Sequence, residues 1–215
     1  VLQIAHGLLS LALALTDELI TQYKTHIWGL VEIHTGGYFH AASFLLQKVA
    51  QVQTSFLNKL GVSEKDAFLT NNFAPTELRR NIGILGLLHK RVLGLCHRSF
   101  DRLLPWRSER FHTERGFGHS KQLYGHRLET KFQSALFFRS IFAMADVYNN
   151  LPQSVVDAPN VKVCQKLLTD MARERCRVDR PQWPLCFSSR HGPDTSGTVI
   201  SNSVAEVITV PLVSG

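Results

Sequence analysis

The sequence predicts a mainly α-helical fold, a helical bundle with a basic, irregular insertion and a loose C-terminal tail. Three observations predict it. Apolar residues recur at helical spacing before residue 95 and again after Pro159. Residues 95–130 lose that spacing and gain charge, and the chain beyond about residue 179 holds Pro, Ser, Gly and Thr without a pattern. We therefore divide the chain into a helical subdomain (1–95), a basic aromatic-rich loop region (96–132), an apolar segment with a turn and a closing helix (133–176), and a disordered tail (177–215).

Apolar spacing and end signals predict the first two helices. Asp17 and Glu18 after Thr16 favour a helix N-terminus, because acidic side chains suit the positive end of the helix dipole. The inward face of this helix should then consist of Ile20, Tyr23, Ile27, Leu30 and Val31. We expect the helix to end at Gly36-Gly37. Gly61 supplies the stop for the second helix, whose apolar face is Leu45, Val49, Val52, Phe56 and Leu60.

Two further helices follow. Ser63 opens a short one before a turn at Asn71-Asn72, and residues 76–94 form the clearest helix, with a buried stripe of Leu78, Ile82, Leu85 and Val92. Gly83, Gly86 and Gly94 lie near one another on a single side of it. Because an interior glycine costs about 1 kcal/mol relative to alanine, we expect a tight helix crossing there; neutral drift is the alternative.

The apolar segment 133–148 is either a buried helix or a pair of strands, and a turn follows at Asn149-Asn150-Leu151-Pro152. Pro159 fits the first position of a closing helix. One face of that helix carries Val161, Cys164, Leu168 and Met171.

Composition excludes several classes of protein. No stretch of about 18 apolar residues exists, so we expect no transmembrane helix. The apolar run at residues 8–15 (LLSLALAL) has no Lys or Arg before it, unlike a signal peptide, so we expect an intracellular protein of the nucleus or cytoplasm rather than a secreted one. Cys96, Cys164, Cys176 and Cys186 match no usual zinc spacing and are expected to be reduced thiols.

The sequence contains no recognisable enzymatic motif. It has no G-x-x-x-x-G-K-[ST] loop, no G-x-S-x-G elbow and no Asp-Asp pair. His112, His119 and His126 recur every seven residues, but glycines interrupt any helix there, so we expect solvent-exposed loop histidines rather than metal ligands. We therefore expect no activity of its own, no cofactor, no metal and no small-molecule substrate.

The positive charge is concentrated in the middle of the chain. Residues 79–139 hold 13 Lys and Arg against 4 Asp and Glu, a net charge of +9, while the whole chain carries +7. Cations beside flat rings form the simplest sequence-tolerant surface for an RNA or DNA backbone; a solvated loop whose rings tuck into the domain is the alternative. The candidate contacts are Arg79, Arg80, Lys90, Arg91, Arg98, Arg102, Trp106, Arg107, Arg110, Arg115, Lys121 and Arg127.

Several segments, spread over roughly residues 20–168, recur in the order known from one family. They include YKTHIWG at 23–29, NFAP at 72–75, LRR at 78–80, LGLLHK at 85–90 and YNNLP at 148–152. This series resembles the region downstream of the polymerase core in reverse transcriptases of non-LTR retrotransposons. Cys164 stands where the family is expected to have Phe.

The resemblance implies the helical thumb-side or linker portion of an RNA-directed DNA polymerase. The family's palm motif, aromatic-x-Asp-Asp, is absent, and Ala143-Met144-Ala145-Asp146 does not replace it, so no catalytic residue carries over. The expected role is to grip template or primer backbone; neutralising about five phosphates gives a log K against log salt slope near −4. The alternative is a degenerate retroelement remnant without selected activity, which the start at Val1 rather than Met, the missing palm and the patternless tail favour.

Overall fold

The structure is a computed structural model that describes residues 14–106, 112–113, 116–117, 119–124, 139–180 and 182–189 of the 215-residue chain. These residues are mainly helical, which confirms the predicted fold class. No helix among them is both long and apolar enough to cross a membrane.

Helix α1 covers residues 14–32 and contains a π-helical turn, Lys24–Trp28, followed by one α-helical turn, Gly29–Glu32. The wider π turn holds an extra residue, which rotates the inward face so that Trp28 points inward instead of Ile27. Ile20 is buried as predicted, but Leu30 is 76% exposed, so the predicted face is wrong in its second half. The predicted break is also misplaced, since Gly36 and Gly37 lie inside a short helix, α2 (Thr35–Tyr38).

Helix α3 (Ser43–Leu60) ends where predicted, because Gly61 adopts a left-handed conformation at φ 68°. Its inward face is nevertheless different from the predicted one. Leu46, Gln53 and Leu57 are buried, whereas Val52 is 56% exposed. The reason is Gln53, whose Nε2 donates to the Ala74 carbonyl at 3.0 Å and whose Oε1 accepts from the Thr76 hydroxyl at 3.1 Å.

Helices α4 (Glu64–Asn71) and α5 (Thr76–Val92) follow the prediction closely. Ser63 caps α4 by accepting from the Asp66 amide at 3.0 Å, and Asn72 ends it in a left-handed conformation. The predicted stripe of α5 is buried, and Gly94 takes a positive φ just after its end. Both helices therefore begin and end on local signals that the sequence carries.

The described residues of the segment after α5 are irregular, as predicted. They contain one short helix, α6 (Ser99–Leu103), an isolated bridge between Trp106 and Leu123, and a minimal antiparallel ladder of β1 (His112–Thr113) with β2 (Gly116–Phe117). In the ladder, residue 112 pairs with residue 117 and residue 113 with residue 116.

Three helices close the fold: α7 (Ala143–Asn149), α8 (Gln153–Val156) and α9 (Val161–Arg177). Residues 143–148 of the apolar segment are therefore helical; residues 133–138 lie outside the described residues. Helix α9 begins two residues later than Pro159 predicts, because Asn160 caps it through a 3.0 Å bond from the Val163 amide. Cys164 and Leu168 of its predicted face are buried.

The predicted disordered tail is wrong for residues 182–189. A single 3₁₀ turn, Trp183–Leu185, carries the chain back to the helices. Trp183 stacks on Phe68 of α4, with ring centroids 5.2 Å apart, and Phe187 is only 1% exposed. Residues 190–215 lie outside the described residues. The main hydrophobic core therefore draws on residues from 39 to 187, across all four predicted segments.

Helix α5 lies at the centre of the packing and crosses α9 most closely at Gly86. A Cβ built on Gly86 would lie 2.5 Å from Gln165 Nε2 and 3.1 Å from Gln165 Cγ, whereas one on Gly83 would meet nothing within 4 Å. The predicted tight crossing is confirmed at Gly86 alone; Gly94 instead serves the end of the helix. A second, smaller cluster joins α1 to α3 and α4 through Ile20, Leu57 and Phe73.

Candidate nucleic-acid interface

The structure divides the twelve candidate contacts into groups of different accessibility. Arg79, Arg80 and Arg91 have buried side chains, while Lys90, Arg98, Arg102 and Trp106 are exposed. Lys121 is held partly within the fold. Arg107, Arg110, Arg115 and Arg127 lie outside the described residues.

Arg79 packs inward from α5 against α1. Its guanidinium carbon lies 3.6 Å from the centroid of the Trp28 ring, and Nη2 contacts Glu32 Oε1 at 2.6 Å. Only 10% of the side chain is exposed, and burial lowers the pKa of the guanidinium to about 10, so it remains charged at neutral pH. In this conformation stacking and ion pairing therefore turn Arg79 away from the surface on which a nucleic-acid backbone would lie.

Arg80 and Arg91 are also buried. Arg80 is 4% exposed, and desolvation lowers the pKa of its guanidinium. Arg91 places Nε 3.2 Å from Asp101 Oδ1 and its guanidinium carbon 5.3 Å from the centre of the Trp106 ring. A phosphate cannot reach either side chain without displacing the groups that cover it.

The exposed candidates gather around the C-terminal end of α5. Lys90 lies on the last turn of that helix, and Arg98 and Arg102 stand four residues apart on the α6 segment, a spacing that places two side chains on one helix face. No ion pair joins these three cations to an acid within the part of the chain that the structure describes. We call Lys90, Arg98, Arg102 and Trp106 the basic face.

A shallow groove runs along the basic face. Arg98, Asp101 and Trp106 line it, with Arg91 at its floor. Trp106 is 46% exposed, so part of its ring is open to a planar group. Asp101 is paired with Arg91, so its negative charge is largely compensated. The groove therefore places the Arg98 cation beside an accessible aromatic ring, the combination that binds single-stranded nucleic acid.

Lys121 has a structural role. Its ammonium contacts the Val156 carbonyl and Asp157 Oδ1, both at 3.2 Å, and thereby ties the insertion to α8. The hydrogen bonds from Gln153 and Lys121 lower the pKa of the Asp157 carboxyl. A phosphate would have to compete with both of these contacts for Lys121.

A buried polar cluster that the sequence did not predict holds the insertion in place. Asn149, at the end of α7, exchanges two 2.8 Å hydrogen bonds with the backbone of Leu123, which in turn pairs with Trp106. His119 is buried against Tyr148, so the prediction of an exposed loop histidine is wrong for it. The sequence feature that could have indicated this cluster is the YNNLP segment, whose first two residues, Tyr148 and Asn149, bond His119 and Leu123.

No three His, Cys, Asp or Glu side chains come together as a metal site among the residues that the structure describes. No family model, curated protein or solved structure matches the chain significantly.

Proposed function

We propose that this chain is a non-catalytic nucleic-acid-binding module, a fragment of a retrotransposon-type reverse transcriptase that grips RNA or DNA backbone through the basic face. The observation that carries the proposal is that Arg98 and Trp106 are exposed and line one groove, while Lys90 and Arg102 are exposed on the adjoining helices. The parent polyprotein would be an RNA-directed DNA polymerase, in keeping with the resemblance of residues 20–168.

The basic face suits a single strand better than a duplex. Its groove is shallow and carries one partly exposed indole ring, which can stack on an unpaired base, while Arg98 and Arg102 neutralise neighbouring phosphates. Arginine binds a phosphate group more specifically than lysine does, because its planar guanidinium contacts two phosphate oxygens at once.

The test compares two double variants that remove the same charge from two helices. R98Q/R102Q alters the basic face, and K162Q/K166Q alters an exposed i, i+4 pair on α9 that does not line the groove. Binding of a labelled single-stranded RNA is followed by fluorescence anisotropy. We expect R98Q/R102Q to weaken binding more than about tenfold at 0.1 M salt, since each lost phosphate contact removes about 0.7 from the salt slope, and K162Q/K166Q to leave it within about twofold. Equal losses in both variants would refute the basic face as the binding site.

The alternative of a degenerate remnant is favoured by one observation. Arg80 Nε and Nη1 and Asn81 Nδ2 are buried on α5 without an acceptor. Such groups cost about 1–3 kcal/mol each, which selection for stability tends to remove. Circular dichroism through a thermal melt separates the two proposals: a sharp, cooperative transition supports a maintained domain, and a broad, non-cooperative one supports the remnant.

A further inference from the structure

The backbone at Trp106 lies beside the chain at Leu123. The two residues form an isolated antiparallel bridge, and the Tyr124 amide donates to the Pro105 carbonyl at 2.9 Å. Residues 105–106 and 123–124 are therefore two short, paired stretches of extended chain. The place of the indole in the groove depends on where the second of these stretches is held.

Asn149 holds Leu123 from the opposite side. Its Oδ1 accepts from the Leu123 amide and its Nδ2 donates to the Leu123 carbonyl, both at 2.8 Å. A carboxamide offers an acceptor and a donor, as a peptide group does, so this side chain takes the place of a neighbouring strand. Successive residues of an extended chain bond to opposite edges, which is why Leu123 can bond Asn149 while Tyr124 bonds Pro105.

The pairing of Leu123 with Asn149 is buried and anchored on a packed helix. Leu123 is 0% exposed and Asn149 is 8% exposed, so a Leu123 amide or carbonyl that lost this partner would be left unsatisfied, which is destabilising. Asn149 is the last residue of α7, and the preceding Tyr148 joins that helix to α5 through its hydrogen bond with His89. The anchor of the Leu123 stretch is therefore part of the helical core.

Only part of the Trp106 ring is covered. The guanidinium carbon of Arg91 lies 5.3 Å from the ring centroid, and Arg91 is itself paired with Asp101 at 3.2 Å. Trp106 nevertheless remains 46% exposed and lines the groove with Arg98. The open part of the ring is available to a stacking base as long as the backbone at residue 106 keeps its place.

We propose that Asn149 is a positioning residue of the basic face, which holds Trp106, through Leu123, in the orientation that stacks on an unpaired base. The proposal rests on the nucleic-acid-binding function proposed above. A ring that is fixed before binding loses less conformational freedom when a base stacks on it, so a positioned indole binds a base more tightly than a mobile one. Asn149 acts through the backbone of its neighbours and need not touch the nucleic acid.

The first test measures, without any ligand, whether Asn149 holds Trp106. The chain has three tryptophans, so a ¹H–¹⁵N spectrum shows three indole N–H signals, which Trp→Phe variants assign. We expect N149A to lower the order parameter of the Trp106 indole below about 0.6. The indoles of Trp28 and Trp183 should keep their wild-type values, which shows that the variant is folded.

N150A is the matched control for N149A. Asn150 is the exposed neighbour, and its Nδ2 donates to the Asp146 carbonyl within the same helix end, so N150A should leave all three indoles rigid. If N149A does not fold, N149D replaces it, because the isosteric carboxylate still accepts from the Leu123 amide but repels the Leu123 carbonyl. A Trp106 indole that is as rigid in the folded variant as in the wild type, or already mobile in the wild type, overturns the proposal.

The second test asks whether this positioning serves base stacking. Fluorescence anisotropy compares two labelled strands with the same number of phosphates, a single-stranded RNA and an abasic strand. We expect N149A to weaken binding of the RNA by about fivefold or more, the loss of one stacked base, and binding of the abasic strand by less than about twofold. In a W106A background N149A should cause no further loss, since the ring that it positions is gone.

The outcomes separate this proposal from the one on which it rests. Equal losses on the two strands, or a further loss in the W106A background, would show that Asn149 serves stability alone and would overturn the positioning role. A wild-type protein that binds neither strand refutes the nucleic-acid-binding function and the stacking role with it. The indole order parameters then still report whether Asn149 holds Trp106.

Discussion

His89 Nδ1 and the Tyr148 hydroxyl are joined by a 3.0 Å hydrogen bond, buried where α5 meets α7. The other ring nitrogen of His89, Nε2, lies 2.9 Å from the Ala158 carbonyl, which can only accept. Nε2 therefore carries the proton, and Nδ1 accepts from Tyr148. His119 has the same neutral arrangement: its Nε2 donates to the Tyr148 carbonyl at 2.9 Å, and its Nδ1 accepts from the Lys121 amide at 3.1 Å.

Acid should destabilise this cluster. Burial lowers the pKa of both His89 and His119 below the ordinary value of 6.5, so near and below that pH the unfolded chain binds more protons than the folded one. The free energy of unfolding is then steady above pH 6.5 and falls as the pH drops from there through the folded-state pKa values. Chemical denaturation at pH 7.5 and at steps down to pH 5 measures this loss.

The matched control for the pH dependence is an exposed histidine on a neighbouring segment. H89Q should flatten the fall in stability below pH 6.5, whereas H97Q should leave the fall unchanged, because His97 is exposed and its ring bonds the neighbouring Ser99. A stability profile that is the same in both variants would show that His89 does not contribute to the acid sensitivity.

Two glycines on α5 should respond differently to the same substitution. G83A should stabilise the protein by up to about 1 kcal/mol, since alanine is the better helix former and its methyl group meets open space. G86A should forfeit that gain, because the new methyl group pushes on Gln165 at the α5–α9 crossing. Urea denaturation of the two variants tests the difference, and a G86A variant as stable as G83A would show that the crossing is loose.

The return of the chain after α9 should matter for stability. F187A should cost about 3–5 kcal/mol, since Phe187 is buried in the main core. V178A, on an exposed side chain at the end of α9, should change the stability by less than about 0.5 kcal/mol. Thermal melts of both variants check this pair; a harmless F187A would mean that residues 182–189 are not packed as the structure shows.

The ends of helices could be predicted wherever residues at those ends form the cap themselves. Ser63, Gly61 and Asn72 fix their helix ends through local hydrogen bonds and left-handed backbone, and none of these depends on distant residues. Inward faces were less predictable. The π turn before Trp28 shifts the register of α1, and polar Gln53 takes a buried position on α3 because the distant Ala74 carbonyl and Thr76 satisfy it.

The candidate site was predictable only as a region. Counting charge located the basic segment, but it could not separate Lys90 on the surface from its neighbour Arg91, which Asp101 and Trp106 hold inside. Trp28, which lies 51 positions earlier in the chain, stacks with Arg79 and holds it away from the surface. Asp157 pairs with Lys121 in a similar way. Such pairings arise from tertiary packing, which spacing and composition do not encode.

The measurement that tests the central proposal most directly is the salt dependence of single-stranded RNA binding by the wild type and by R98Q/R102Q. The three described cations of the basic face predict a log K against log salt slope at least as steep as about −2, and the double variant should flatten it by about 1.4. Equal slopes for the two proteins, or no binding at low salt, would contradict the proposal that this chain grips nucleic acid through the basic face.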